Sequence, residues 1–226
     1  MITCKALSKS YITNEQESII YKDLDWSVEQ WTSVAIMWPS WSGKSTLLNM
    51  ISWLDLPDSG DITVQWTTIT SLSDDERTRW RSQHVGFVFQ QFHLIPNLTV
   101  AENIDLVIDI SWVERRFSTD EVLDKVWLGG YGMRYPWQLS GWEQQRVAVA
   151  RAFVAKLPIL LADEPTGNLD HRNAVIIMDL MMQLHRESDT TVIIITHDPQ
   201  VAAYAQIQYQ LTEGDLVIQQ YSQTLT

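Results

Sequence analysis

A chain of 226 residues with 45% hydrophobic content can bury a sizeable core without covalent staples, and its single cysteine, Cys4, excludes an internal disulfide. Sixteen Lys and Arg against 28 Asp and Glu give a net charge of −12, with no basic tract of the kind that tracks phosphates, which argues against nucleic-acid binding. No run approaches the roughly 18 apolar residues of a membrane span, and the opening MITCKALSKSY lacks the apolar core of a signal peptide, so the chain is expected to be soluble and untargeted.

Residues 2–64 read as short strands and turns, with VAIM at 34–37 a buried strand that runs into a loop and 46–53 the helix after it. Asp58-Ser59-Gly60 predicts a turn before the alternating strand DITVQ, 74–82 a charged helix, and VGFVFQ at 85–90 a further buried strand. The stretch 91–151 reads as a mainly helical lobe, best at 120–126 and 143–154 and punctuated by Pro96 and Pro136. LPILLADEP at 157–165, a helix over 172–187 and TVIIITHD at 191–198 then alternate strand, helix, strand. That order predicts a parallel sheet covered by helices, with active groups at the strands' carboxyl ends. With no repeat or flexible linker, one domain spanning 1–226 is expected, the helical lobe inserted in its core.

The chemistry concentrates in three places. WPSWSGKST at 38–46 ends as a phosphate-binding loop, in which backbone N–H groups wrap phosphates, Lys44 reaches the outer ones and the Ser45 hydroxyl binds Mg²⁺. The pattern G-x-x-x-x-G-K-[ST] is met by Gly43, Lys44 and Ser45, while Trp38 stands at its first glycine. ILLADE leaves Asp163 and Glu164 at the end of an apolar strand. There one carboxylate can hold Mg²⁺ and the other can polarise an attacking water; alone, the pair also fits a strand ending in solvated acids. LSGWEQQRVAVARA at 139–152 opens with Ser140 and Gly141, a hydroxyl and backbone N–H groups at a helix start with Glu143 in the first turn, and by itself this is also an ordinary helix N-terminus.

Taken in order, the phosphate loop, the LSGxEQQR signature and LLADEPTGNLD resemble the nucleotide-binding subunit of an ABC transporter, and the resemblance covers essentially the whole chain. It implies an α/β fold: a P-loop NTPase core with a parallel sheet, a small antiparallel β lobe and an α-helical lobe. FVFQ supplies the family's loop glutamine, Gln90; THD its switch histidine, His197; and SKSY places Tyr11 as the aromatic that stacks on adenine. The resemblance further implies a homodimer sandwiching two ATP molecules, each held between one subunit's phosphate loop and the other's signature. Ser40, Ser42 and Gly43 then line the loop and Lys44 neutralises the outer phosphates. Ser45, Gln90 and Asp163 sit on Mg²⁺ and Thr46 touches the α-phosphate. Ser140 and Gly141 face the partner's nucleotide, Glu164 is general base, His197 senses the γ-phosphate, and Asp170 couples the two sites. GFVFQQFHLIPNLTVAENI, the YPxQLSG lead-in and THDP are most similar to the exporter and lipoprotein-release branch. In that branch the subunit works on the cytoplasmic face of the membrane with a separate transmembrane permease, whose helices dock near Gln90 and the helical lobe; a cell-division subunit shares the TGNLD wording.

One departure is systematic. The chain holds 11 Trp and 9 Gly, where usage near 7% predicts about 16 Gly. Tryptophans at 31, 38, 41, 53, 66, 127 and 142 stand where the family has glycine and make up the shortfall. A single base separates one glycine codon from the tryptophan codon. Trp38 and Trp41 crowd the loop, Trp142 replaces the second glycine of the signature, and Trp66 falls in an expected hairpin turn, whereas Trp26, Trp80, Trp112 and Trp137 read as packing or surface aromatics. Two readings follow: an ATP-hydrolysing transporter motor, or a subunit that docks on its partner but binds nucleotide poorly. A small-molecule P-loop kinase requires a lid in place of LSGWEQQR.

Overall fold

The computed structural model describes residues 2–13, 16–37, 44–111, 113–212 and 215–221. These form two compact units, Met1–Arg81 with Ile193–Thr226, and Ser82–Val192.

The first unit holds β1 (Ile2–Thr13), β2 (Gln16–Val28), β3 (Ser33–Met37), α1 (Lys44–Ile51), β4 (Ser59–Val64) and β5 (Thr67–Thr68), followed by most of α2 (Asp74–His84). An antiparallel sheet runs β2-β1-β4-β5. Its inward face carries Ile2, Cys4, Leu7, Tyr21, Leu24, Ile62 and Val64, all buried. The strands β1 and β2 are far longer than the short pieces expected from sequence, because their alternation survives three register shifts in the β1–β2 ladder. The turn expected at residues 58–60 is displaced: Ser59 and Gly60 already belong to β4. Gly60 stands at φ +88°, and a Cβ there would sit 2.3 Å from the Ala6 carbonyl oxygen, so only glycine permits this approach of β4 to β1. A second group of strands runs β10-β9-β3-β8, with β8 (Thr191–Thr196), β9 (Ile207–Thr212) and β10 (Asp215–Tyr221), and the short α7 (Pro199–Ala202) follows β8. The strand β3 pairs with β9 in parallel and is buried along nearly its whole length, as its uninterrupted apolar run requires. The β9–β10 hairpin was not anticipated, since its sequence is rich in Gln.

The second unit begins with the last residues of α2 and holds β6 (Val85–Phe89), α3 (Val100–Ser111), α4 (Thr119–Lys125), α5 (Gly141–Phe153), β7 (Ile159–Asp163) and α6 (His171–Arg186); its strands run β8-β7-β6, Thr191 and Val192 of β8 counting to this unit. The pair β6 and β7 is parallel. The helix α5 buries Val147, Ala148, Val149, Ala150 and Phe153, and α6 buries Ile177, Met178, Leu180, Met181 and Leu184 at helical spacing. Helices α3, α4 and most of α5 fall within residues 91–151, the stretch read from sequence as mainly helical. No helix among the described residues is long and apolar enough to cross a membrane.

Candidate functional site

In the first unit β3 ends at Met37 and α1 begins at Lys44, so the motif lies between a strand and a helix. Residues 38–43, which include Ser40, Ser42 and Gly43 with Trp38 and Trp41, lie outside the described residues, as do the side chains of Lys44 and Ser45. Thr46 is buried in the first turn of α1. Tyr11 stands near the end of β1, 38% exposed, and its phenol donates a 2.9 Å hydrogen bond to Asp55. His197 directly follows β8 and is exposed on a turn that is fixed from both sides: the Asp198 N–H donates to Thr196 Oγ1 at 3.1 Å, and the Asp198 carboxylate caps α7 by accepting from Gln200 N–H at 2.8 Å.

The second unit assembles the other half of the motif set. In the β6–β7 ladder Phe89 stands opposite Asp163, so the next residues, Gln90 and Glu164, leave neighbouring strands at their carboxyl ends. Glu164 is only 5% exposed and adopts φ +45°, a left-handed conformation that costs a non-glycine residue about 1 kcal/mol or more. The following turn is closed by Gly167 N–H on the Glu164 carbonyl at 3.0 Å. Two further contacts clip this turn to Gln90. The Gln90 Nε2 donates to Asn168 Oδ1 at 3.3 Å, and Asn168 Nδ2 donates to the Gln90 carbonyl at 2.8 Å. A Cβ on Gly167 would lie 2.8 Å from Gln90 Nε2, so the amide rests directly against bare backbone.

The signature helix α5 reaches the same place. Gln145, fully buried, donates from Nε2 to the Pro165 carbonyl at 2.6 Å and to the Phe89 carbonyl at 3.4 Å. Ser140 and Gly141, both exposed, form the start of α5, where the Glu143 carboxylate accepts from the Ser140 N–H at 2.8 Å and from its hydroxyl. Burial pushes the Glu143 carboxyl up, but these bonds and nearby Arg134 outweigh it and hold it below its ordinary range. Asp170 caps α6, accepting from Asn173 N–H at 2.9 Å, which lowers its pKa. Gln145, Gly167 and Asn168 were not singled out from sequence, although each lies inside a motif that was. Their signal was the motif's continuation beyond its chemically reactive residues.

The sequence pattern of the family described as ABC transporter matches residues 21–167, well over half of the chain. The chain belongs to the ABC transporter family. It is 42% identical over 221 residues to the ABC transporter ATP-binding protein YvrO of Bacillus subtilis, covering 96% of both chains. The lipoprotein-releasing system ATP-binding protein LolD of Idiomarina loihiensis is 40% identical over 219 residues, again with 96% of each covered. The solved dimeric structure of a post-hydrolysis state of the ATP-binding cassette MJ0796, bound to ADP and Pi, superposes with a TM-score of 0.86 at 36% identity and full coverage of both chains. MJ0796 comes from Methanocaldococcus jannaschii. As an ABC transporter ATP-binding protein, the chain carries its signature at the start of α5 and its LLADEPTGNLD stretch at the end of β7.

Of the seven tryptophans at glycine positions, five fall among the described residues. Trp31, Trp53 and Trp127 adopt φ of +62°, +56° and +56°. Trp66 lies in the two-residue loop between β4 and β5 and is 98% exposed, confirming the hairpin turn. Trp142 lies within the signature, where Arg146 stacks over it at 4.4 Å and over Trp127 at 4.8 Å.

Proposed function

We propose that this chain is the ATP-hydrolysing motor of an ABC exporter or lipoprotein-release complex, acting as a homodimer on the cytoplasmic face of the membrane with a separate permease. The observation that carries this reading is the clip of Gln90 by Gly167 and Asn168 beside Glu164, because it ties the residue that meets a cation to the turn that holds the general base. Lys44 neutralises the outer phosphates, Thr46 meets the α-phosphate, and Ser40, Ser42 and Gly43 wrap them. Ser45, Gln90 and Asp163 would hold Mg²⁺: a hydroxyl, an amide oxygen and a carboxylate are the hard oxygen donors it takes, and the Gln90–Asn168 bond commits Nε2 and keeps Oε1 for a cation. When bound, the ion neutralises charge developing on the phosphates. Glu164 takes the proton of the attacking water, His197 contacts the γ-phosphate, and Tyr11 carries the adenine. Ser140 and Gly141 reach the partner subunit's nucleotide, and Asp170 lies on the segment joining the two sites. The permease's cytoplasmic helices dock beside Gln90 and the helical lobe, so that closure around ATP moves them.

The second reading, a docking subunit with poor nucleotide binding, is favoured by one observation: the Arg146 guanidinium stacks on both Trp127 and Trp142, the latter directly after Ser140 and Gly141. Titration with a fluorescent ATP analogue and Mg²⁺, followed by phosphate release, separates the two. A motor binds in the micromolar range and loses turnover by roughly 100-fold or more in Glu164→Gln, the scale of a general base. Absent binding leaves the docking reading.

A further inference from the structure

One polar cluster of the first unit is not used by any role given so far. Lys9 points its buried ammonium into the segment that follows α1: Nζ lies 3.1 Å from Asp55 Oδ2 and 3.4 Å from Asp58 Oδ1 and donates to the Leu56 carbonyl at 2.7 Å. Asp55 in turn accepts the Tyr11 phenol at 2.9 Å, while Lys9 Nζ stands over the Tyr11 ring, 5.2 Å from its centroid. Asp58 completes the frame by accepting from Ser10 N–H at 2.7 Å and donating its own N–H to the Ser8 carbonyl at 2.8 Å. The other end of this frame is the phosphate-loop helix. Both Leu54 N–H and Asp55 N–H donate to the carbonyl of Asn49 in α1, at 2.8 and 3.1 Å. Asp55 thus joins α1 by its main chain and Tyr11 by its carboxylate.

We propose that Asp55 is a positioning residue for nucleotide binding, fixing Tyr11 at a set reach from the helix that begins at Lys44, with Lys9 covering one ring face so that the base stacks on the other. The proposal rests on the reading of Tyr11 as the base platform. A free tyrosine on a strand end samples several rotamers, and stacking that first has to order the ring is weaker than stacking on a ring already held. The bonds also keep Asp55 ionised: burial raises its carboxyl, but the bonds from Lys9 and Tyr11 outweigh that and lower it overall. Lys9 behaves in the complementary sense: burial alone lowers its ammonium, and Asp55 and Asp58 turn the net shift upward.

The test compares calorimetric affinities of the full chain for MgATP and for inorganic tripolyphosphate, which presents the phosphate chain without a base. Tyr11→Phe keeps the ring and removes only the O–H, so it is expected to weaken MgATP about threefold, and Asp55→Asn about fivefold, the scale of one hydrogen bond. Tripolyphosphate affinity stays within twofold in both. In a Tyr11→Ala background, Asp55→Asn adds no further loss for MgATP, because the group it positions is gone. A parent chain that binds no MgATP overturns the nucleotide reading and this proposal together. MgATP binding that is weakened by Tyr11→Ala and untouched by Asp55→Asn and Tyr11→Phe overturns this proposal alone, as does an equal loss for tripolyphosphate, which marks Asp55 as a support of the fold.

Discussion

At the residue scale the tryptophans are read most directly from hydrogen bonds. Helix α1 ends with Trp53 N–H on the Met50 carbonyl at 3.1 Å and Leu54 N–H on the Asn49 carbonyl at 2.8 Å. Helix α4 ends with Trp127 N–H on Asp124 at 3.0 Å and Leu128 N–H on Leu123 at 2.8 Å. Both are Schellman endings, whose left-handed residue is ordinarily glycine, and both seat a tryptophan there at φ +56°. The backbone is thus built for glycine at positions that sequence alone had marked as glycine positions. Trp31 is 60% exposed, so replacing it with glycine relieves the left-handed strain with little lost packing. Trp31→Gly is expected to stabilise by about 1 kcal/mol, and Trp127→Gly by about half that, because its ring also carries Arg146. In thermal unfolding the first shift is about 2–4 °C upward for a chain of this size, and a fall in both midpoints refutes the strain argument. Cys4 gives a second residue-scale prediction. Burial pushes its thiol up to about 12, so the native protein is expected to resist alkylation at pH 8 and to react once unfolded in denaturant. The sign follows: the folded state favours the neutral thiol, so this contribution to stability is full below the unfolded value near 8.5 and is lost as pH rises toward about 12. Rapid labelling of the native protein contradicts it.

At the element scale, strong patterns were legible and weak ones were not. The strand at 34–37, the strands ending at Phe89 and Asp163, and the helix through residues 172–186 were readable because each combines an apolar run or a helical stripe with clear punctuation. Hairpin β9–β10 was not, since β9 alternates its apolar residues with Gln and β10 is an edge strand whose described side chains are mostly exposed. For the site, reactive residues stood out by chemical type, but the clip around Gln90 did not. A small residue whose role is to be absent, Gly167, carries no signal until its neighbour is placed. The clip is testable. Gly167→Ala puts a methyl group 2.8 Å from Gln90 Nε2, and the flexible amide yields before the backbone does. Turnover is expected to fall about 10-fold, on the scale of a misplaced positioning group. The thermal midpoint moves little, as a shift borne by a side-chain end implies. Unchanged turnover with a lowered midpoint assigns Gly167 to the turn alone.

At the scale of the whole molecule, net charge opposes assembly. Each chain carries a net charge of −12, so bringing two together around nucleotides, themselves anionic, sets like charges against each other over the whole surface. Such long-range repulsion is screened within about 10 Å at 0.1 M salt, whereas short, desolvated contacts such as a serine and backbone N–H groups against phosphate are screened far less. The balance gives salt opposite effects on the two possible kinds of dimer. A dimer held by buried nucleotide contacts strengthens as salt removes the general repulsion, and one held by exposed ion pairs weakens. In Glu164→Gln, which is expected to bind ATP without hydrolysing it, saturating MgATP is therefore expected to produce a dimer in sedimentation experiments whose fraction rises between about 0.05 and 0.3 M salt. Saturation is verified at each salt concentration, so that weaker nucleotide binding is not mistaken for weaker assembly. A dimer that dissociates over the same range places surface ion pairs at the interface, and a monomer at every salt concentration removes the nucleotide sandwich from this chain.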